Sequence, residues 1–287
     1  MISIFVLYWF RREEYSFAVV FYLVGFNVID VLDVKQERIL GTNKRITILN
    51  TTIDVLNVQE TIELVEEYVR KKEPLHLMGV NADKINLLNR NELLKRIVNS
   101  CGIINADGVS VVWASRFLGM SLPERVAGID LMQNLIDLSE KKGYSVYFLG
   151  ARQEIVEKTV DVVKNLYPQL VIAGFRNGYF NRSEWQDISN ELLIKKPDFV
   201  FVGITSPMKE YLIEFIQNNG CKSVFMGVGG SFDVISGAIR RAPVWLQNIG
   251  MEWLYRVIQE PRRLFKRYLF GNLTFMKSVW REKKNLK

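Results

Sequence analysis

The residues with the clearest chemical potential form a glycine-rich turn in the last third of the chain. Residues 225–237 read FMGVGGSFDVISG, with Gly229, Gly230 and Asp233 at the centre. An apolar strand followed by glycines leaves backbone N–H groups free to face an anion, so the turn predicts a phosphate site. Asp233 would bind ribose hydroxyls or cap the next helix. The full dinucleotide glycine spacing is absent, which argues against a nicotinamide-dependent oxidoreductase.

A basic, aromatic-rich tail follows this turn. Residues 240–287 contain twelve lysines and arginines and only three glutamates, whereas the rest of the chain carries slightly more acidic than basic residues. Arginines beside Trp and Tyr suit interfacial binding, and such localised basicity indicates an anionic membrane surface as partner rather than nucleic acid. The alternative is an ordinary pair of capping helices whose cations are solvated.

Three further polar residues lie at predicted strand ends or loops. Asp107, in NADG, lies between a strand and a helical run. It would cap that helix or act as a general base toward a sugar hydroxyl, and spacing alone favours the cap. Asn81 would bind a sugar or base edge, or form an Asx turn. Arg125 would reach a diphosphate in bidentate fashion or remain a surface arginine.

Composition argues against several other kinds of site. His76 is the only histidine and lies in the apolar run LHLM, so we predict a half-buried strand residue rather than a member of a catalytic triad. Cys101 and Cys221 lack metal-ligand spacing, which fits a reducing, intracellular location. No Asp-x-Asp pair is present, so a leaving diphosphate would depend on arginines, lysines and helix N-termini. We expect neither a metal nor a cofactor.

The elements that must position these residues alternate in an α/β pattern. Short β-branched or aromatic runs alternate with segments of helical period, which predicts a mostly parallel sheet covered by helices. In such a sheet, residues at the carboxyl ends of different strands converge on one crevice. The predicted strands are 46–49, 75–80, 102–105, 145–149, 171–175, 199–202 and 223–228. The predicted helices are 58–71, 85–99, 108–117, 129–142, 154–166, 183–194 and 207–218.

Three segments are predicted along the chain. Residues 1–44 form an apolar extension whose uncharged runs fall short of a bilayer span and whose charges are placed unlike those of a signal peptide. We interpret it as an interfacial or packed segment, or as the product of a misassigned start codon, in preference to a transmembrane helix. Residues 45–242 form the α/β domain. Residues 243–287 form a basic helical appendage, broken at Glu260-Pro261.

Several motifs in a fixed order resemble those of the WecG/TagA/CpsF glycosyltransferases. The resemblance covers roughly Arg45 to Gly271. It comprises NADG at 105–108, LPERVAGIDLM at 122–132, YFLGA at 147–151, GYF at 178–180, GVGGSFDVISG at 227–237, RAP at 241–243, EWLYR at 252–256 and EPRR at 260–263.

This resemblance implies a Rossmann-like α/β fold with helices on both faces. It also implies an inverting, metal-independent transfer of a sugar from a UDP donor to undecaprenyl-diphosphate-linked N-acetylglucosamine. The transferred sugar would be N-acetylmannosamine or its uronic acid, for cell-surface polysaccharide or teichoic acid synthesis. The protein would act as a peripheral protein on the cytoplasmic face of the plasma membrane, and whether it forms a homo-oligomer stays open.

The resemblance also assigns roles to individual residues. It implies that Asp107 is the catalytic base. The residues that it implies for the donor site are Asn81, Arg125, Lys209, Gly229, Gly230 and Asp233. The residues that it implies for the lipid diphosphate of the acceptor are Arg256, Arg263 and Lys266.

Two positions depart from the family pattern. Gly79 stands where threonine is common, and Lys209 stands where glutamine is common. Losing a hydroxyl and gaining an ammonium beside the donor would alter sugar recognition, toward an acidic sugar or another hydrogen-bond partner. The same departures leave an alternative function open, that of a non-catalytic partner of another glycosyltransferase in the pathway.

Overall fold

The structure, a computed structural model, describes residues 7–12, 15–20 and 43–286. Leu7–Arg12 (β1) and Tyr15–Val20 (β2) pair as an antiparallel hairpin within one compact unit, Met1–Thr42, and the second unit is Asn43–Lys287. Most of the predicted apolar extension, 1–44, lies outside the described residues. Across the described parts of the chain, no helix combines the length and the apolar character needed to cross a membrane.

The second unit begins with a short hairpin that stands apart from the main sheet. Arg45–Ile48 (β3) pairs antiparallel with Thr51–Asp54 (β4). Between them, Leu49 and Asn50 have φ values of 49° and 62°, the left-handed conformation that a two-residue hairpin turn requires. The predicted strand at 46–49 is therefore present, but its assignment to the parallel sheet is wrong because this turn reverses the chain at once.

Six strands form one parallel sheet, which confirms the predicted fold class. In chain order they are Leu75–Val80 (β5), Ile103–Ala106 (β6), Ser145–Gly150 (β7), Val171–Arg176 (β8), Phe199–Gly203 (β9) and Val224–Gly227 (β10). Across the sheet the order is β6-β5-β10-β9-β7-β8. The first and last of these strands are therefore neighbours near the centre, where the winding direction reverses. Such a reversal opens a crevice beyond the carboxyl ends of the strands.

Helices connect the strands and cover both faces of the sheet. They are Val58–Lys71 (α1), Ala82–Leu88 (α2), Glu92–Asn99 (α3), Val109–Leu118 (α4), Gly128–Lys142 (α5), Gln153–Leu166 (α6), Trp185–Lys195 (α7), Met208–Asn218 (α8) and Ser231–Ile235 (α9). Val200 packs on one face with the buried residues of α7 and α8. Phe148 points to the opposite face, where its ring meets that of Phe232 in α9 at 5.8 Å.

One predicted helix is divided in two. The run 85–99 was expected to be continuous, but α2 ends at Leu88 and α3 begins at Glu92. The side chain of Asn91 accepts a hydrogen bond from the backbone N–H of Leu94 at 3.0 Å, which makes it the N-cap of α3. The helical spacing of apolar residues continued across Asn91, so this spacing alone did not reveal the interruption between α2 and α3.

The tail contains three helices, Val244–Asn248 (α10), Glu252–Gln259 (α11) and Pro261–Asn285 (α12). The predicted break at Glu260-Pro261 is confirmed, with Pro261 in the first turn of α12, where its missing N–H costs nothing. Helix α12 packs against α2 and α4, and Phe275 and Val279 are buried in their shared core. The tail thus packs firmly on the α/β domain, while a domain boundary at 242/243 stays a prediction.

Candidate active site

A cleft of about 750 Å³ opens at the carboxyl ends of the strands. Segments that follow β5, β6, β9 and β10 line it, together with residues of α11 and α12. The predicted site residues in its lining are Asn81, Asp107, Arg125, Lys209, Gly229, Gly230, Asp233 and Arg256. The side chains of Arg263 and Lys266 lie outside what the structure describes. One cleft therefore brings together residues that lie up to 175 positions apart.

Asp107 directly follows β6 and directs its carboxylate across the cleft wall. Its Oδ1 accepts a hydrogen bond from the backbone N–H of Gly128, the first residue of α5, at 2.8 Å. Spacing alone favoured a cap on α4, but the N-cap of α4 is Gly108, which has no side chain to supply a cap. Oδ2 accepts no hydrogen bond from the described residues. It is therefore the oxygen available to a substrate.

Gly79 provides the space that Asp107 occupies. A Cβ built on Gly79 would lie 3.2 Å from the Cβ of Asp107 and 3.8 Å from its Oδ2. The first contact is tighter than ordinary van der Waals packing, so a side chain at position 79 would press on the Cβ of Asp107. The glycine at position 79 thus bears on the position of Asp107.

Arg125 is a linking residue rather than a surface arginine. Its Nε donates to the backbone carbonyl of Asp107 at 2.8 Å, and its Nη2 donates to Oε2 of Glu252 in α11 at 2.9 Å. Burial alone would lower the pKa of Arg125, but the carboxylates of Asp107, Glu252 and Asp130 outweigh it and raise that pKa. The guanidinium therefore remains charged and connects the Asp107 segment to the tail.

A second arginine extends this connection. Arg241 contacts Asp130 of α5 at 2.7 Å, and its Nε lies 4.0 Å from Oε1 of Glu252. The side chain of Glu252 is only 8% exposed. We call Asp107, Arg125, Asp130, Arg241 and Glu252 the arginine cluster. Sequence reasoning missed Glu252 as a functional residue, although an acidic residue in so basic a tail was a signal.

Asn81 caps the helix that follows β5. Its Oδ1 accepts a hydrogen bond from the backbone N–H of Lys84 at 3.0 Å, which fits the turn-forming alternative. The residue also lines the cleft, so its predicted part in donor binding is compatible with the cap and stays a prediction.

The glycine-rich turn runs from β10 into the short helix α9. Gly229 has a φ of +53°, a left-handed conformation that suits glycine, and no atom lies within 4 Å of where its Cβ would be. The turn therefore faces open space in the cleft. Asp233 lies in the first turn of α9 and lines the same cleft.

A group of buried charges lies at the cleft floor, and sequence reasoning missed two of its three members. Nζ of Lys84 contacts Oε1 of Glu210 and donates to Oγ of Ser206 at 3.0 Å. Nζ of Lys209 lies 3.6 Å from the same Glu210 oxygen, and the Glu210 side chain is fully buried. We call Lys84, Lys209 and Glu210 the lysine cluster. Of the three, only Lys209 was predicted from the sequence, through the family resemblance.

The pKa values of Lys209 and Glu210 are strongly perturbed. Burial and the neighbouring Lys84 lower the pKa of Lys209 to about 8, against the opposing effect of Glu210 and Asp107. Burial would raise the pKa of Glu210, but the two lysines outweigh it and lower that pKa to about 2. At neutral pH the cluster therefore holds two ammonium groups and one carboxylate.

His76 and the cysteines take no part in the cleft lining. His76 lies in β5 and is 6% exposed, and burial lowers its pKa to about 3, so its ring is neutral at neutral pH. Its Nε2 has no hydrogen-bond partner among the described residues. Cys101 and Cys221 are free and buried. Within the described residues, no group of three or more His, Cys, Asp or Glu side chains could hold a metal ion.

The tail contributes an aromatic and cationic wall to the cleft. Trp253 of α11 and Tyr268 of α12 pack with ring centroids 5.9 Å apart, and both line the cleft. Arg256 lines it from the next turn of α11 and forms no ion pair with the described residues. The tail and the glycine turn thus line the same cleft.

Comparison with known proteins identifies the relatives of this chain. Residues 46–287 match the family described as "Glycosyl transferase WecG/TagA/CpsF family". The N-acetylglucosaminyldiphosphoundecaprenol N-acetyl-beta-D-mannosaminyltransferase of Bacillus subtilis (strain 168) is 31% identical over 232 residues, 80% of this chain and 89% of the relative. The enzyme of the same name from Staphylococcus aureus (strain MW2) is 28% identical over 254 residues, 88% of this chain and 98% of the relative. The chain therefore belongs to the WecG/TagA/CpsF family of glycosyltransferases.

Proposed function

We propose that this chain is an inverting glycosyltransferase that moves a sugar from a UDP donor to undecaprenyl-diphosphate-linked N-acetylglucosamine. The sugar is N-acetylmannosamine or its uronic acid, and the product serves cell-surface polysaccharide or teichoic acid synthesis. The names of the relatives support the acceptor and the transferred group. The observation that carries the proposal is the single cleft in which Oδ2 of Asp107, the glycine turn and several cations meet.

In this mechanism Asp107 acts as the general base. Its Oδ1 is held by the N–H of Gly128, so Oδ2 accepts the proton of the acceptor hydroxyl. The hydroxyl oxygen forms a bond to the anomeric carbon as the bond from that carbon to the diphosphate oxygen breaks on the opposite side. The configuration at the carbon is inverted, and UDP leaves with the bonding electron pair.

The departing diphosphate requires positive charge, which the cleft supplies from side chains. Lys209 and Lys84 lie at its floor, and Arg125 and Arg256 lie in its walls. Fixed cations in a partly buried site stabilise developing negative charge without reorganisation. Metal-independent transfer is part of the proposal, and full activity in excess EDTA is the expected result.

The acceptor reaches this cleft from a membrane surface. Helix α12 carries five exposed apolar residues at helical spacing, Phe265, Leu269, Leu273, Met276 and Trp280. This spacing places them along one side of the helix, and α12 also contains eight lysines and arginines and one glutamate. A basic helix with an exposed apolar stripe is the pattern of interfacial binding. We therefore place the protein on the inner face of the plasma membrane, with Arg256, Arg263 and Lys266 toward the lipid diphosphate.

Vesicle sedimentation tests this membrane contact. Leu273→Glu puts a charge in the stripe and should weaken binding to vesicles that contain anionic lipid by about tenfold or more. Ile194→Glu is the matched control, because Ile194 is also exposed but lies on α7. Equal binding by both variants would contradict the assignment of the stripe to the membrane.

A transfer assay with the purified chain tests the reaction. The chain is incubated with UDP-N-acetylmannosamine or its uronic acid and a short-chain prenyl-diphosphate-N-acetylglucosamine, and the disaccharide product is identified by mass spectrometry and its anomeric configuration by NMR. We expect product from the chain alone. No product with either donor, under conditions in which a known relative is active, would favour the non-catalytic partner instead.

A further inference from the structure

The lysine cluster combines residues from two helices at the floor of the cleft. Lys84 belongs to α2, which follows β5, while Lys209 and Glu210 begin α8, which follows β9. Both lysines line the cleft. Their side chains are only 7% and 12% exposed, which is rare for lysine unless the charge is compensated.

The charges within this cluster do not balance. Lys84 and Lys209 both approach Oε1 of Glu210. The shorter contacts to that oxygen are those of Lys84 and of Ser206 Oγ. Lys209 lies 3.6 Å away, longer than a hydrogen bond. The remaining groups that face Lys209 are Asp107, which contributes at longer range, and His76, which is neutral at neutral pH. One positive charge is therefore left in a largely buried position.

The position of this excess charge is tied to the glycine turn. A Cβ built on Gly227, the last residue of β10, would lie 2.7 Å from Cε of Lys209 and 3.4 Å from its Nζ. Lys209 therefore lies directly over the start of the turn, in a space that only a glycine at position 227 leaves open. Its ammonium is close enough to Asp107 for that carboxylate to raise the pKa of Lys209.

A buried cation without a full partner is unfavourable in the free protein and becomes favourable when an anion fills the site. A residue kept only for packing would not need this charge. The excess charge thus indicates a ligand with a negative group at the cleft floor. A buried lysine that binds substrate at a cost in stability is one form of the trade-off between stability and activity.

We propose that Lys209, supported by Lys84, is the subsite for an anionic oxygen group of the donor close to its reacting carbon. Two groups of such a donor have this chemistry, the carboxylate of a uronic acid and the phosphate attached to the anomeric carbon. This proposal rests on the proposed function. It specifies the part of the donor that the lysine cluster binds.

The test compares Lys209→Gln, which removes the charge and keeps a polar side chain, with the wild-type chain. The measurements are UDP affinity by calorimetry, KM for UDP-N-acetylmannosamine and for its uronic acid, and the melting temperature. Lys141→Gln is the control, because Lys141 is an exposed lysine paired with Asp137. We expect Lys209→Gln to weaken binding of the anionic group about tenfold or more and to raise the melting temperature by about 2–4 °C.

The outcomes separate the two sources of the anion. Selective loss of the uronic acid donor, with UDP affinity unchanged, assigns the subsite to the sugar carboxylate. Loss of affinity for UDP and both donors assigns it to the phosphate. Unchanged affinities together with a lower melting temperature would show a structural lysine and overturn the proposal.

The same measurements distinguish the subsite from the proposed function. If the wild-type chain binds a UDP-sugar in a Lys209-dependent way but forms no product, the subsite stands and the transfer reaction fails. If it forms product with a Lys209→Gln variant of unchanged affinity, the reaction stands and the subsite fails. A wild-type chain that binds no UDP-sugar would overturn both.

Discussion

The arginine cluster and the lysine cluster meet in the same cleft but differ in charge balance. The first contains three carboxylates and two guanidinium groups, linked by hydrogen bonds of 2.8 and 2.9 Å and by a 4.0 Å contact between Arg241 and Glu252. The second contains two ammonium groups and one carboxylate. Among the described residues, the first leaves one carboxylate oxygen of Asp107 without a hydrogen bond, suited to accept a proton, and the second leaves an ammonium, suited to bind an anion. Residual charge after pairing therefore indicates the chemistry of each cluster.

The largest expected effect is the fall in kcat when Asp107 loses its basic carboxylate oxygen, Oδ2. Asp107→Asn keeps an Oδ1 that accepts from Gly128 but loses the basic oxygen, so kcat should fall by about 10²–10⁴-fold. UDP affinity, measured by calorimetry, should stay within about twofold. Turnover near the wild-type rate would exclude Asp107 as the base.

The next effect tests whether the arginine cluster holds the tail in place. Glu252→Gln removes the charge that pairs with Arg125 and should lower the free energy of unfolding by about 1–3 kcal/mol, measured by urea denaturation. It should also raise KM for the acceptor, because α11 carries Arg256. Glu92→Gln is the control, since Glu92 is 82% exposed in its pair with Lys95 and should change stability by less than about 0.5 kcal/mol. Equal effects would mean that the buried pair contributes no more than a surface one.

A substitution in the lysine cluster should raise the stability of the chain, whereas Glu252→Gln in the arginine cluster should lower it. The pKa of Lys209 is about 8 in the folded chain against an ordinary 10.5, so between these pH values the unfolded chain binds the proton more tightly. The free energy of unfolding of the wild-type chain should therefore rise with pH across that window, relative to Lys209→Gln. Below pH 8 the variant should be more stable by about 1–2 kcal/mol. This is less than the free energy equivalent to the full pKa shift of Lys209, because the buried glutamine amide must also be accommodated. Parallel stability curves from pH 7 to 10.5 would refute the excess buried charge.

The smallest effect concerns the space beside Asp107. Gly79→Ala places a Cβ 3.2 Å from that of Asp107, and the resulting displacement of a few tenths of an ångström should lower kcat by about two- to fivefold. Gly271→Ala is the control, because Gly271 lines the same cleft and its nearest contact would be 3.7 Å. An equal kcat in both variants would mean that Asp107 tolerates the added methyl group.

The sequence predicted much of the fold because its elements carry their own local signals. All six strands of the parallel sheet were placed to within a residue or two, since short β-branched runs between amphipathic segments are locally recognisable. The signals failed where a neighbouring cap or turn decided the outcome. Asn91 ended a helical period, and the turn at Leu49 and Asn50 removed a strand from the sheet.

For the site, the residue types could be read from the chain before it is folded, namely a carboxylate after one strand, a glycine turn after another and a basic tail. Their partners followed from the three-dimensional fold. It gave the carboxylate of Asp107 to the start of α5 rather than to α4, tied Arg125 to Glu252, and buried Lys84 and Lys209 around one glutamate. Hydrogen bonds and ion pairs between segments more than 100 residues apart depend on strand order and helix packing, which local sequence patterns do not encode.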